Sequence, residues 1–185
     1  HIIEKSKGES KRFRIEHAQH LTPQAITRFQ TLGVIPSMQP YHAIDDGRWA
    51  NKRLEDERLK GTYAFKSLLS NGAQLTFGSD WTVAPLSPLL GIYAAVTRRT
   101  TDDKNPNGWF PEQKVSVEEA LKCYTQNNAY AGFMENRVGL LKVGFLADFA
   151  VLSDDLFSIQ PDQISNVKVL RTVINGKEVY KSNRK

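Results

Sequence analysis

Apolar and polar positions alternate along AQLTFGSDW, residues 73–81, where Leu75 and Phe77 sit two apart, the period of one face of a strand. The run stops at Gly78-Ser79, where the backbone turns at little steric cost. Asp80 is thereby placed just past a strand. RFRIEHAQ, residues 12–19, repeats the arrangement: Phe13, Ile15 and His17 share one face, and His17 falls at the strand's C-terminal end. A helix follows at once. Thr22-Pro23 reads as an N-cap and a proline at the first helical position, Ile26, Phe29 and Leu32 recur at helical spacing, and Gly33 closes the helix.

Val34 and Ile35 then begin a short strand closed by Pro36 and Pro40, and the proline inside it predicts a non-central or bulged position. His42, Asp45 and Asp46 are expected in the loop beyond. Residues 49–71 predict a helix in two pieces broken near Gly61, with Tyr63, Phe65, Leu68 and Leu69 facing inward and Asn71-Gly72 as the stop. The strand over residues 73–80 comes next. Strand, helix, strand, helix, strand is the order of parallel units joined by right-handed crossovers. A further helix is predicted in PLSPLLGIYAAVTRR, with Leu89 to Thr97 carrying its apolar face. The polar stretch 100–114 embeds Trp109 and Phe110 and is expected to pack as a rim loop. SVEEALKCYTQNNAYAGF predicts one helix opened by a capping box, Ser116 to Glu119.

From Gly139 onward the texture is β. A strand is predicted over Phe149 to Leu152, and two more runs in 167–180 are joined by Asn175-Gly176, a type I′ hairpin signal. Three such strands do not stand alone and must pack against something. The domain division expected is therefore 1–138 and 139–185. At the other end, HIIEKSKGES looks like the interior of a helix, which leaves open a signal peptide on a longer precursor.

Composition narrows the classes. The 185 residues are 40% hydrophobic, enough for a packed core. A single cysteine, Cys123, excludes an internal disulfide framework and a cysteine-rich zinc cluster. No apolar run approaches the roughly 20 residues that span a bilayer, so a soluble chain is expected, with the compartment, cytoplasmic or secreted, left open. The net charge of +5 comes from scattered Lys and Arg without interleaved aromatic residues, which argues for a solvated surface and against nucleic acid as a partner.

Candidate chemistry rests on two strand ends. In α/β proteins the loops after the strands' C-terminal ends line the functional face. A His and an Asp delivered there from different strands suit a metal or acid/base site. Each also has a structural reading: Asp80 as a turn or helix-cap residue, His17 as a satisfied strand-end histidine. His42, with Asp45 and Asp46, is either a surface group or part of a site.

Taken together, RIEHAQ, GVIPSMQPYHA, FGSDW with PLLGIYAAVTR, WFPEQKVSVEEAL, GLLKVGFLADFAVL and VINGKEVY resemble the C-terminal part of the amidohydrolase superfamily, family 3, the YtcJ-like enzymes. The resemblance implies an α/β fold: about three βα units from the C-terminal portion of a metal-dependent (β/α)8 TIM-type barrel, plus returning strands of a small β-sandwich domain. It implies that His17 is the metal-binding histidine after strand six and Asp80 the catalytic and metal-binding aspartate after strand eight. The family's His-x-His pair and its further ligands are not in this chain, and His1 does not replace them. The rest of the barrel, or another chain, is the implied partner, and a homo-oligomer is compatible.

The activity implied is hydrolysis of a carbon–nitrogen bond in a small non-peptide amide by metal-activated water, with a divalent metal, zinc first. As an isolated segment offering two ligands the chain is expected to be inactive and to hold no metal tightly. The alternative is a catalytically inert binding module on the same scaffold. His42 and Trp81 are the candidate substrate-binding residues, and Trp109 is a further aromatic wall.

Overall fold

The computed structural model describes residues 11–183. The helix expected in HIIEKSKGES lies outside the described residues. Three short strands, β1 (Arg14–Glu16), β2 (Ile35–Met38) and β3 (Thr76–Phe77), form a parallel sheet in the order β1-β2-β3. Ile15 pairs with Pro36 and Met38 with Phe77. The parallel arrangement is the expected one, but the strands are shorter than their apolar patterns suggested.

Their ends explain this. His17, Ala18 and Asp80 all adopt positive φ, of 67°, 44° and 55°, a region side chains seldom occupy outside tight turns and functional loops. The backbone therefore leaves the sheet at those residues. β1 is an edge strand, and Phe13 and Ile15 are 41% and 49% exposed.

β2 corrects the expectation drawn from Pro36, since it is the central strand. Ile35 N–H donates to Phe13 O at 2.8 Å, and Ser37 O accepts from His17 N–H at 2.7 Å. Residues 35 and 37 thus face β1, and Pro36 faces β3, whose pairing begins only at Ser37 with Thr76. The missing N–H falls where no ladder bond is due.

Between β1 and β2 runs α1 (Pro23–Leu32), capped by Thr22 Oγ1 accepting from Ala25 N–H at 3.2 Å and closed by Gly33 at φ 61°. After β2 comes α2 (Pro40–Asp46). His42 consequently lies on a helix and not in a loop: Pro40 stands at the first helical position, where its fixed φ and absent N–H cost nothing. The stretch 49–71 is more broken than expected, into a 3-10 turn (Ala50–Lys52), α3 (Asp56–Leu59) and α4 (Phe65–Ser70). The break near Gly61 has a steric cause, because a Cβ there would lie 1.7 Å from Leu21 O. Tyr63, Phe65 and Leu68 are fully buried as expected, whereas Leu69 is partly exposed.

α5 (Pro88–Thr97) buries Leu89 and Ile92. The single helix expected over 116–133 is two, α6 (Val117–Tyr124) and α7 (Gln126–Ala131), parted at Thr125. The capping box is present in both halves: Ser116 Oγ accepts from Glu119 N–H at 3.1 Å, and Glu119 Oε2 accepts from Ser116 N–H at 2.7 Å. The kink turns Asn127 and Asn128 toward β3, where their side-chain amides donate to Leu75 O at 2.7 Å and Phe77 O at 2.9 Å.

The C-terminal stretch forms an antiparallel sheet of β4 (Phe149–Leu152), β5 (Val169–Ile174) and β6 (Lys177–Lys181). Asn175 and Gly176 both have positive φ, as a type I′ turn requires. The connection before β5 sends Leu156, Ile164 and Val167 into the same core as Phe65, Leu68 and Phe77. Edge-to-face contacts such as Phe65–Phe77, at 5.1 Å, pin that core. Among the described residues no helix is long and apolar enough to cross a membrane.

Candidate metal centre

His17 and Asp80 come together as their strand-end positions imply. His17 leaves β1 through its positive φ, Asp80 leaves β3 in the same way, and α2 brings His42 between them. The ligating atoms of His17, His42 and Asp80 all lie within 4.8 Å of one another. His42 Nε2 is 3.6 Å from Asp80 Oδ2, and the His17 and His42 rings stack with centroids 5.9 Å apart. His42 therefore joins the candidate ligands, which the sequence counted as two.

The buried Nε2 of His42 has no hydrogen-bond partner among the described residues. A buried ring nitrogen left unpaired is costly, and a cation is one of the few groups that satisfies it. Around a tetrahedral zinc, N and O donors stand roughly 3.4 Å apart, given metal–donor distances of about 2.0–2.1 Å. The His42–Asp80 separation is close to this, so that pair fits a divalent ion, with a His17 donor within 4.8 Å of both. The cap reading of Asp80 does not hold. The following helix is capped at Ser87, and only the backbone oxygen of Asp80 is used, accepting from Ala84 N–H at 3.1 Å.

The three side chains open into a cleft of about 430 Å³, also lined by Gln19, Tyr41, Asp45, Asp46, Val83 and Ala84. One wall is polar and hydrogen-bonded. Asp46 Oδ2 accepts from Tyr63 Oη at 2.5 Å and from Gln19 Nε2 at 3.0 Å, and Asp45 pairs with Arg48. Burial and the Asp46 carboxylate push the Tyr63 phenol well above its usual range, so it stays a donor. Behind Tyr63, the buried Arg98 guanidinium donates to Tyr63 O at 3.0 Å and to Trp109 O at 2.7 Å. Its burial lowers its pKa to about 10.

Trp109 is thus a packing residue. It is 4% exposed, its indole N–H donates to Asn51 Oδ1 at 3.1 Å, and it lies outside the cleft lining. Trp81 also stands outside that lining, 66% exposed. The Gln19–Asp46–Tyr63 network was not anticipated. Its sequence signals were Asp46, grouped with His42 and Asp45, and Gln19, two residues beyond His17 on the same strand exit.

Comparison with known proteins gives the chain a family. The model of an amidohydrolase family, Amidohydro_3, matches residues 3–180, and the chain belongs to that family. It is 41% identical over 92% of its length to the Arabidopsis thaliana protein LONG AFTER FAR-RED 3, and 36% identical over 90% to the putative amidohydrolase YtcJ of Bacillus subtilis. The chain spans 29% and 32% of the lengths of those two relatives. Among solved structures, an uncharacterized metal-dependent hydrolase from Pyrococcus horikoshii matches 80% of this chain, with a TM-score of 0.71 and 31% identity. This chain covers 30% of that one.

Proposed function

We propose that this chain is the C-terminal segment of a metal-dependent hydrolase that cleaves a carbon–nitrogen bond in a small, non-peptide amide. The observation that carries the reading is the convergence of His17, His42 and Asp80, from three separate elements, within 4.8 Å. The family and the metal-dependent neighbour support it. The segment corresponds to about three βα units of a (β/α)8 barrel, and the missing units would supply further ligands and substrate walls.

His17, His42 and Asp80 would hold a divalent ion, with zinc the first candidate for a set of imidazole and carboxylate donors. When bound, such an ion acidifies water and polarises a carbonyl. The remaining work is done by the chain. Neutral imidazoles offer a lone pair, and the His17 and His42 rings lie nearly parallel, 11° apart, with centroids separated by 5.9 Å. The Asp80 carboxylate takes a proton from the attacking water and returns it to the departing nitrogen, which as an amine or ammonia leaves far more readily once protonated. Its positive φ holds it at the cleft rather than in the sheet. Gln19 and Asp46, held from behind by the buried Tyr63, form a polar wall against which a substrate's own polar groups are oriented.

The test is metal content and amine release. A protein carrying this segment, assayed on a panel of simple amides, should hold a stoichiometric divalent ion and release amine. An intact fold with neither would support an inert binding scaffold.

A further inference from the structure

Both candidate histidine ligands have a close neighbour in one closed ring of hydrogen bonds. Gln19 lies two residues beyond His17 on the exit from β1, and Asp46 lies one helical turn beyond His42, on the same face of α2. The Gln19 side-chain amide donates to Asp46 Oδ2 at 3.0 Å and to Tyr63 Oη, and the Tyr63 hydroxyl donates to the same Asp46 oxygen at 2.5 Å. The two N–H groups of the amide and the one O–H of the phenol are thus all used. The ring joins the strand exit that carries His17 to the helix that carries His42.

Tyr63 is the fixed corner of this ring. It is fully buried within the chain, and any further protein around the segment can only deepen that burial. Its N–H donates to Gln19 O at 2.8 Å, and its carbonyl accepts from Arg98 Nη1 at 3.0 Å. Its φ of 50° is one that a bulky side chain seldom adopts and that persists only where the surroundings impose it. Phe65 and Trp109 meet its ring edge to face at 6.1 and 6.4 Å and hold the phenol aimed at Gln19 and Asp46.

We propose that Tyr63 is a positioning residue for the metal centre: through Gln19 and Asp46 it sets the spacing of His17 and His42, and with it the affinity of the site for a divalent ion. This rests on the hydrolase reading above. Donors carried on separate elements bind an ion tightly only when their separation is fixed before it arrives, since ordering them afterwards consumes binding free energy. The buried phenol supplies that fixation at the one place where the strand exit and the helix share a partner.

The experiment uses a full-length protein that carries this segment, stripped of metal. Zinc affinity is read by competition with a chromophoric chelator, and ligand geometry by the visible spectrum of the cobalt(II) form. Tyr63→Phe keeps the aromatic ring and removes the hydroxyl. Zinc affinity should fall roughly tenfold, the lower end for a group that supports metal ligands from behind, and the cobalt bands should shift. Asp46→Ala should do the same. Asp46→Asn should retain the affinity that Asp46→Ala loses, because a single carbonyl oxygen accepts both bonds. The double variant Tyr63→Phe, Asp46→Ala should be no weaker than either single variant, since each breaks the same ring. Titrating at a temperature where the melt of each metal-free variant shows it folded keeps lost stability out of the affinity.

A Tyr63→Phe protein that melts earlier yet keeps the wild-type zinc affinity and cobalt spectrum has lost only packing, which overturns this proposal and leaves the metal reading standing. Asp46→Asn as weak as Asp46→Ala assigns the effect to the carboxylate's charge and overturns the proposal as well. A wild-type protein that takes no zinc overturns the hydrolase reading and this proposal together. Should Tyr63→Phe fail to fold, the two variants of the half-buried Asp46 decide between the same outcomes.

Discussion

His42 Nε2 faces Asp80 Oδ2 across 3.6 Å, although one residue belongs to a helix after the central strand and the other to a turn after the edge strand. The pair turns a two-ligand strand-end motif into a three-donor set. Removing His42 should therefore weaken metal binding. For His42→Ala, chelator competition with zinc should show an affinity loss of at least about 100-fold, at or above what supporting groups around a metal contribute. An unchanged affinity would return His42 to the role of a substrate-wall residue.

Asp80→Asn in an active protein carrying this segment keeps the side chain's size and an oxygen donor but removes the proton acceptor. Turnover should fall by about 10²- to 10⁴-fold, with folding retained. Since the Asp80 side chain caps nothing, a stability change as large as that of a lost helix cap, about 1 kcal/mol, is not expected. Paired activity assays and thermal melts separate the two outcomes.

Self-association is expected at β1. Ile15 is 49% exposed on an edge strand, beside an apolar groove formed with Ala25, Phe29, Leu32 and Val34. Unpaired edges with apolar side chains pair with whatever reaches them. Sedimentation velocity should show concentration-dependent association that Ile15→Lys suppresses. A monodisperse wild-type monomer across the concentration range removes the idea.

The buried Cys123 sets an alkaline limit. Burial, with Glu119 nearby, pushes its thiol up to about 12 from an ordinary value of 9.0. The folded chain then keeps a proton that the unfolded chain releases. This contribution is fully present below about pH 9 and is lost as pH rises toward 12, at up to ~1.4 kcal/mol per pH unit. Between pH 9 and 10, before the tyrosines join in, denaturant midpoints should fall with pH. Cys123→Ala should flatten that slope.

Much of this molecule was legible from its residues. The βα order, the capping box at Ser116, the I′ turn at Asn175 and the strand-end positions of His17 and Asp80 all follow from local pattern, because each depends on a few neighbouring side chains. What was missed depended on long-range partners. Pro36 was taken as a sign of a non-central strand, yet its vacant donor direction is harmless because β3 starts pairing one residue later. His42 was assigned to a loop because Pro40 was read as a strand stop, when the same residue at the first helical position starts α2. Trp81 and Trp109 were grouped as aromatic walls. One is outside the cleft lining and exposed and the other is locked on Asn51, a distinction that no spacing encodes.

The amides of Asn127 and Asn128 give the sheet a polarity of growth. Gly78 N–H donates to Met38 O on one flank of β3, and by strand alternation the carbonyls of Leu75 and Phe77 point to the opposite flank, where the two asparagines occupy them. A strand arriving at that flank must exchange with both amides, bond for bond, and gains little from the swap. At β1 a newcomer meets no side-chain amide substitutes of this kind among the described residues. Extension of the sheet is thus favoured at one end and resisted at the other, and two short side chains beyond a helix kink impose the difference.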